Sequence, residues 1–215
     1  MSRRNFAKSI GGLAAFMNQY VSAPVCTPSR FSCLTGKYSS RSNAPNFLKD
    51  TKRHGQSVVQ WNSEIMGSDV TLPGLLKDGG HKTGFAGKSH VVHVEEWEQL
   101  EYADDPRDPE IAATLIRNKN RVQTAIKDIG FEYAESIYHR NPERIGCEEL
   151  SVHNMDWITK GGVDFIEQQS KDDPFFLYFA TTLPHWPDTP ERSWNGNPLA
   201  TADGFLTEAP NAQPA

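Results

Sequence analysis

Pro174-Phe175-Phe176-Leu177-Tyr178-Phe179-Ala180 runs directly into Thr181-Thr182-Leu183-Pro184-His185-Trp186-Pro187. The first seven residues are a near-continuous apolar run, the pattern of a strand buried on both faces of a sheet, and the proline-bounded stretch after them reads as a loop. Working outward, Lys82 to Ala86 is a second strand, and the helix Leu72 to Lys77, closed by Gly79-Gly80, precedes it. Val58 to Trp61 reads as a further short strand, and helices are predicted from Glu110 to Lys127 and from Ser151 to Gln169. The latter carries Val152, Met155, Ile158, Val163 and Ile166 along one side.

Strands alternating with helices predict an α/β fold with a mostly parallel sheet flanked by helices, in which ligands sit outside the carboxyl ends of the strands. Lys88 and His90 follow one strand and His185 follows the other, so parallel strands would bring all three to one edge. Cys26 to Leu34 reads as a helix with Cys26 at its start, Thr27 as cap, Pro28 in the first turn and Gly36 as its stop. A helix start offers free N–H groups and the positive end of the macrodipole. The expected cleft therefore gathers Cys26, Arg30, Lys88, His90 and His185 around a point that suits an anion. Residues 38–56, rich in Ser and Asn, read as loop, as does the acidic stretch around Asp104 to Pro109. The end of the chain, residues 191–215, reads as an irregular tail after a domain covering 1–190.

The chain has 215 residues with Lys plus Arg at 22 and Asp plus Glu at 27, a net charge of −5. No basic block is present, so nothing in the bulk charge suits a nucleic-acid backbone. Three cysteines exclude a disulfide scaffold, and none forms the C-x-x-C pair of structural zinc sites. No apolar run approaches bilayer-spanning length. Ser2-Arg3-Arg4-Asn5-Phe6-Ala7-Lys8 before Ile10 to Met17 resembles a twin-arginine export signal, which leaves a periplasmic or secreted location open; the same stretch also reads as an amphipathic helix from Phe6 to Tyr20. Gly87-Lys88-Ser89 imitates the end of a P-loop, but the glycine required five positions earlier is Lys82.

Cys26-Thr27-Pro28-Ser29-Arg30, continuing to Leu34-Thr35-Gly36, resembles the signature C-x-P-x-R followed by Leu-Thr-Gly of the type I sulfatase family. Gly87-Lys88-Ser89-His90 is similar to that family's G-K-x-H element, and Pro184-His185-Trp186-Pro187 to its P-H-x-P element, in the family's order. The resemblance covers roughly residues 16–190. It implies an alkaline-phosphatase-like α/β domain that hydrolyses sulfate monoesters of sulfated small molecules or sulfated glycans. It also implies that a separate maturation enzyme oxidises Cys26 to Cα-formylglycine.

In that reading Arg30 holds the modified residue, Lys88 binds it and a sulfate oxygen, His90 acts as its base, and His185 serves the leaving oxygen. A divalent cation, normally Ca²⁺, is implied as well, with position 26 as the one retained metal ligand, because residues 1–25 hold no aspartate. The family's later Asp-Asn-Gly ligands have no counterpart before residue 215, so the chain reads as the middle of a longer sulfatase. A phosphonate or phosphate monoester hydrolase of the same superfamily and an inert fragment are the alternatives.

Overall fold

The computed structural model describes residues 20–183, 185 and 196–212. The helix and export signal expected between Met1 and Tyr20 lie outside the described residues, apart from Tyr20 itself.

Three strands make one parallel sheet: β1 (Lys82–Lys88), β2 (Tyr133–Tyr138) and β3 (Phe175–Ala180), in the order β2-β1-β3. Parallel neighbours need long crossovers, and helices supply them. Between β1 and β2 runs the helix Pro109–Asp128, and between β2 and β3 the helix Met155–Glu167. Counting along the chain, α1 is Cys26–Thr35, α2 Pro45–His54, α3 Leu72–Asp78, α4 Pro109–Asp128 and α5 Met155–Glu167.

Helices lie on both sides of the sheet. On one face Phe85 meets Phe131 edge-on at 5.2 Å and packs with Val122 and Ile126 of α4, together with Phe31 and Leu34 of α1. On the other face α5 presses so close to β1 that a Cβ at Gly84 would fall 2.6 Å from the Phe165 ring. Glycine is required there for close packing rather than for a turn.

Local chemistry explains the helix boundaries. Proline sits in the first turn of α2, α3 and α4, where a missing N–H costs nothing. Asp108 caps α4 by accepting from the Glu110 N–H, and Thr71 caps α3 by accepting from the Gly74 N–H. α1 ends at Gly36, whose φ of 66° is the left-handed cap conformation. Its N-cap is Val25, not the expected Thr27, which lies buried within the first turn.

Other expectations need correction. Residues 38–56 are not all loop, since α2 occupies Pro45–His54; Phe47 is its one buried residue, so no apolar stripe marks it in the sequence. Val58 to Trp61 forms no strand; the extended contact nearby is an isolated parallel bridge between Ile65 and Val92. β3 is not buried on both faces: the inner strand is β1, and β3 is an edge strand of the described sheet, with Phe179 43% exposed. Within the tail expected to be irregular, β4 (Ala200–Thr201) and β5 (Gly204–Phe205) pair as an antiparallel hairpin. Ala200 is wholly buried beside Leu100, Leu115 and Trp157. No helix among the described residues is long and apolar enough to cross a membrane.

Candidate functional site

The carboxyl ends of the three strands share one edge because all run parallel, with Gly87 opposite Ala180 and Lys88 opposite Tyr138. A bulge in β2 refines this edge. The register shifts between Ala86 and Gly87, leaving Ser136 as the extra residue at φ 53°. Past the last paired residues, the Ser89 N–H donates to the Tyr138 carbonyl at 2.9 Å and the His90 N–H to the His139 carbonyl at 2.7 Å. His90 takes a left-handed φ of 50°, unusual for a side chain of its size, and the bond to His139 holds it there.

α1 delivers the first two motif residues to that edge. Cys26 opens the helix, and its Sγ lies 3.1 Å from His90 Nδ1. One turn later the Arg30 guanidinium donates to the Lys88 carbonyl at 2.6 Å and reaches the Tyr178 hydroxyl of β3 at 3.5 Å. Arg30 thus ties α1 to the end of β1 and to Tyr178 within β3.

The electrostatics are unusual for exposed chemistry. Lys88 is only 2% exposed. Burial, with help from the Arg30 charge, lowers its pKa to about 8, while Cys26 and Glu143 pull the other way. His90 is held down to about 3 by burial first, then by the charges of Lys88, Arg140 and Arg30 beside the His139 ring. At neutral pH the imidazole is therefore neutral, and one ring nitrogen is free to accept a proton.

His90, Arg30 and Lys88 therefore meet around Cys26, and His185 lines the same cleft as His90. Sequence reasoning missed the contribution of β2. His139 is buried, its ring 4.9 Å from Trp97, and Arg140 follows it into the cleft. The signal was obscured because the Ser136 bulge interrupts the two-residue alternation.

Among the described residues, those around Cys26 do not fit a divalent cation. Among the described residues no three His, Cys, Asp or Glu side chains cluster as a metal site. The groups touching or flanking Cys26 are an imidazole, a guanidinium and an ammonium, none of them the hard oxygen donor that Ca²⁺ requires.

A protein-family model described as Sulfatase matches residues 4–207. The chain is 29% identical over 179 residues to N-acetylgalactosamine-6-sulfatase of Homo sapiens, covering 80% of this chain and 33% of that protein. It is 24% identical over 230 residues to N-acetylgalactosamine-6-O-sulfatase of Bacteroides thetaiotaomicron, covering 84% of this chain and 43% of that protein. Arylsulfatase of Clostridium perfringens is 24% identical over 205 residues, which is 82% of this chain and 37% of the relative. The chain therefore spans less than half the length of these curated relatives. The match runs through all of the motifs that meet at the sheet edge, and by it this chain belongs to the sulfatase family.

Proposed function

We propose that this chain supplies part of the active site of a sulfuric ester hydrolase acting on sulfate monoesters, with sulfated glycans as the substrate class. The observation that carries the reading is the 3.1 Å approach of Cys26 Sγ to a neutral His90 at a helix start, beside the buried Lys88. The relatives' names support the same class of reaction. Cys26 is the residue on which a maturation enzyme would act, and Pro28 and Arg30 stand where the family's signal has them. Formylglycine there would supply, as its hydrate, one hydroxyl to attack sulfur and a second whose deprotonation releases sulfate.

The chain's own residues then have separable tasks. Arg30 fixes the start of α1 against the end of β1 through the Lys88 carbonyl. Lys88 places a poorly solvated ammonium at the strand end, where an anionic ester would be attracted more strongly than in water. His90 accepts the proton from the atom at position 26 through Nδ1. Its low pKa limits that role while the site is empty of anions; a bound sulfate offsets the Lys88 and Arg30 charges and raises its basicity. His185, which lines the cleft, donates to the leaving oxygen.

Peptide mapping by mass spectrometry of the natively produced protein tests this reading, joined to hydrolysis of matched aryl sulfate and aryl phosphate. Formylglycine at residue 26, with sulfate preferred and activity lost in Cys26→Ala, is the expected result. An unmodified thiol, or a preference for the phosphate ester, rejects it.

A further inference from the structure

Beyond His90 and His185 the site opens into a cleft of about 730 Å³ between α2 and the loop after β2. Lys49 and Arg53 line it from α2, and Arg140 and Arg144 from the segment after β2. In a chain of net charge −5 this concentration of positive charge is out of proportion. Among the described residues none of these four side chains has an ion-pair or hydrogen-bond partner, whereas Arg107, Arg117 and Arg121 are all bound to glutamates. The cleft's two carboxylates offset half of that charge but pair with none of the four, which leaves an excess of two positive charges. Asp50 accepts from Asn62 at 2.7 Å, and Glu64 is engaged by His93 at 2.9 Å. Trp61, 61% exposed, lines the same cleft and offers a flat apolar face of the kind on which a sugar ring stacks.

Unpaired guanidinium and ammonium groups lining one open cleft are a recognition surface for carboxylate or sulfate oxygens. We infer that this cleft is a second subsite, which binds an anionic group on the sugar next to the one carrying the scissile ester. The substrate is then an oligosaccharide with at least two negative groups, its neighbouring sugar on Trp61 and its second anion between Arg140, Arg144, Lys49 and Arg53. The inference rests on the sulfate-ester reading of the Cys26 site, because it takes that site as the place of the first anion.

Calorimetry on the full chain tests it with five probes: a monosulfated hexosamine, the same sugar linked to a uronic acid, the methyl ester of that uronate, the uronate-linked hexosamine without its sulfate, and a disulfated disaccharide without carboxylate. A charge-assisted contact predicts that a disaccharide with two anions binds about tenfold tighter than the methyl ester, and less so at high salt. The preference should collapse in Arg140→Ala/Arg144→Ala and in Lys49→Ala/Arg53→Ala, with circular dichroism unchanged, and survive in the distant Lys171→Ala. Tighter binding of the uronate assigns the second anion as carboxylate, and of the disulfated probe as sulfate. Neither charged disaccharide exceeding the ester, no binding of any probe, or a preference that survives both double variants overturns the inference. Equal binding of the uronate-linked sugar with and without its hexosamine sulfate, the carboxylate preference over the ester being kept, supports the subsite while removing the sulfate-ester reading.

Discussion

Cys26 and His90, 64 residues apart in the chain, stand 3.1 Å apart because Arg30, one turn after the cysteine, is bonded to the carbonyl of Lys88, two residues before the histidine. The helix start is thereby pinned to the strand end by a bond next to the one that matters chemically. Replacing Arg30 by Ala removes this charge-assisted bond, worth about 1–2 kcal/mol at a half-buried position. A drop of roughly 2–8 °C in melting temperature is expected by calorimetry. Arg30→Lys should recover part of the loss, since both contacts leave the single nitrogen Nη1 and an ammonium can replace it wherever its own reach brings it to the Lys88 carbonyl.

Lys88 gives stability an alkaline signature. Its pKa is about 8 in the fold against 10.5 in a free chain, so between those values the unfolded state holds more protons. Stability should therefore rise with pH across that window, by up to roughly 3 kcal/mol, relative to Lys88→Met. Urea titrations of both proteins from pH 7.5 to about 10.5 check the sign. Affinity for inorganic sulfate moves oppositely and weakens above pH about 8, as the ammonium loses its charge.

Two histidines give the acid counterpart. His90 and His139 are both held near 3, chiefly by burial, against 6.5 unfolded. Both are neutral in the fold, so stability is lost as pH falls from 6.5 towards 3. At pH 5 the loss is up to roughly 2 kcal/mol for each. Urea unfolding at pH 7 and pH 5 should show a difference that shrinks by about half in His139→Gln; an unchanged difference would exclude His139 as a source.

Gly87 sets how closely β1 and β3 approach at the site. Its φ is +99°, and a Cβ there would fall 2.0 Å from the Ala180 carbonyl oxygen. Gly87→Ala must therefore part the strands just before Lys88. A loss of at least about 2–3 kcal/mol is expected. Gly36→Ala, at φ +66° with open space around it, should cost only about 1 kcal/mol by the same thermal melts.

Asn154 joins α5 to the terminal hairpin. Its side-chain oxygen accepts from the Trp157 N–H, and its amide donates to the carbonyls of Pro198 and Ala200 at 2.8 and 3.0 Å. Asn154→Ala removes a helix cap and leaves two carbonyls without that donor, a cost of about 2–4 kcal/mol. Hydrogen exchange should show the amides around Ala200 losing protection first.

What the sequence alone determined is what short-range chemistry controls. A proline in the first turn and a glycine suited to the left-handed cap make α1 readable between Cys26 and Gly36, and the apolar run from Phe175 to Ala180 makes β3 readable as a strand. The motif residues Cys26, Arg30, Lys88, His90 and His185 are legible as types at fixed spacings. The tertiary structure decided the rest. β2 escaped notice because the Ser136 bulge breaks its alternation, and with it went His139 and Arg140. α2 escaped because a helix anchored by Phe47 alone has no apolar stripe, and so Lys49 and Arg53 could not be placed in the cleft. The depressed pKa values of Lys88 and His90 are invisible in the sequence for a more general reason: burial is the work of residues far away in the chain, brought together only when strands and helices pack.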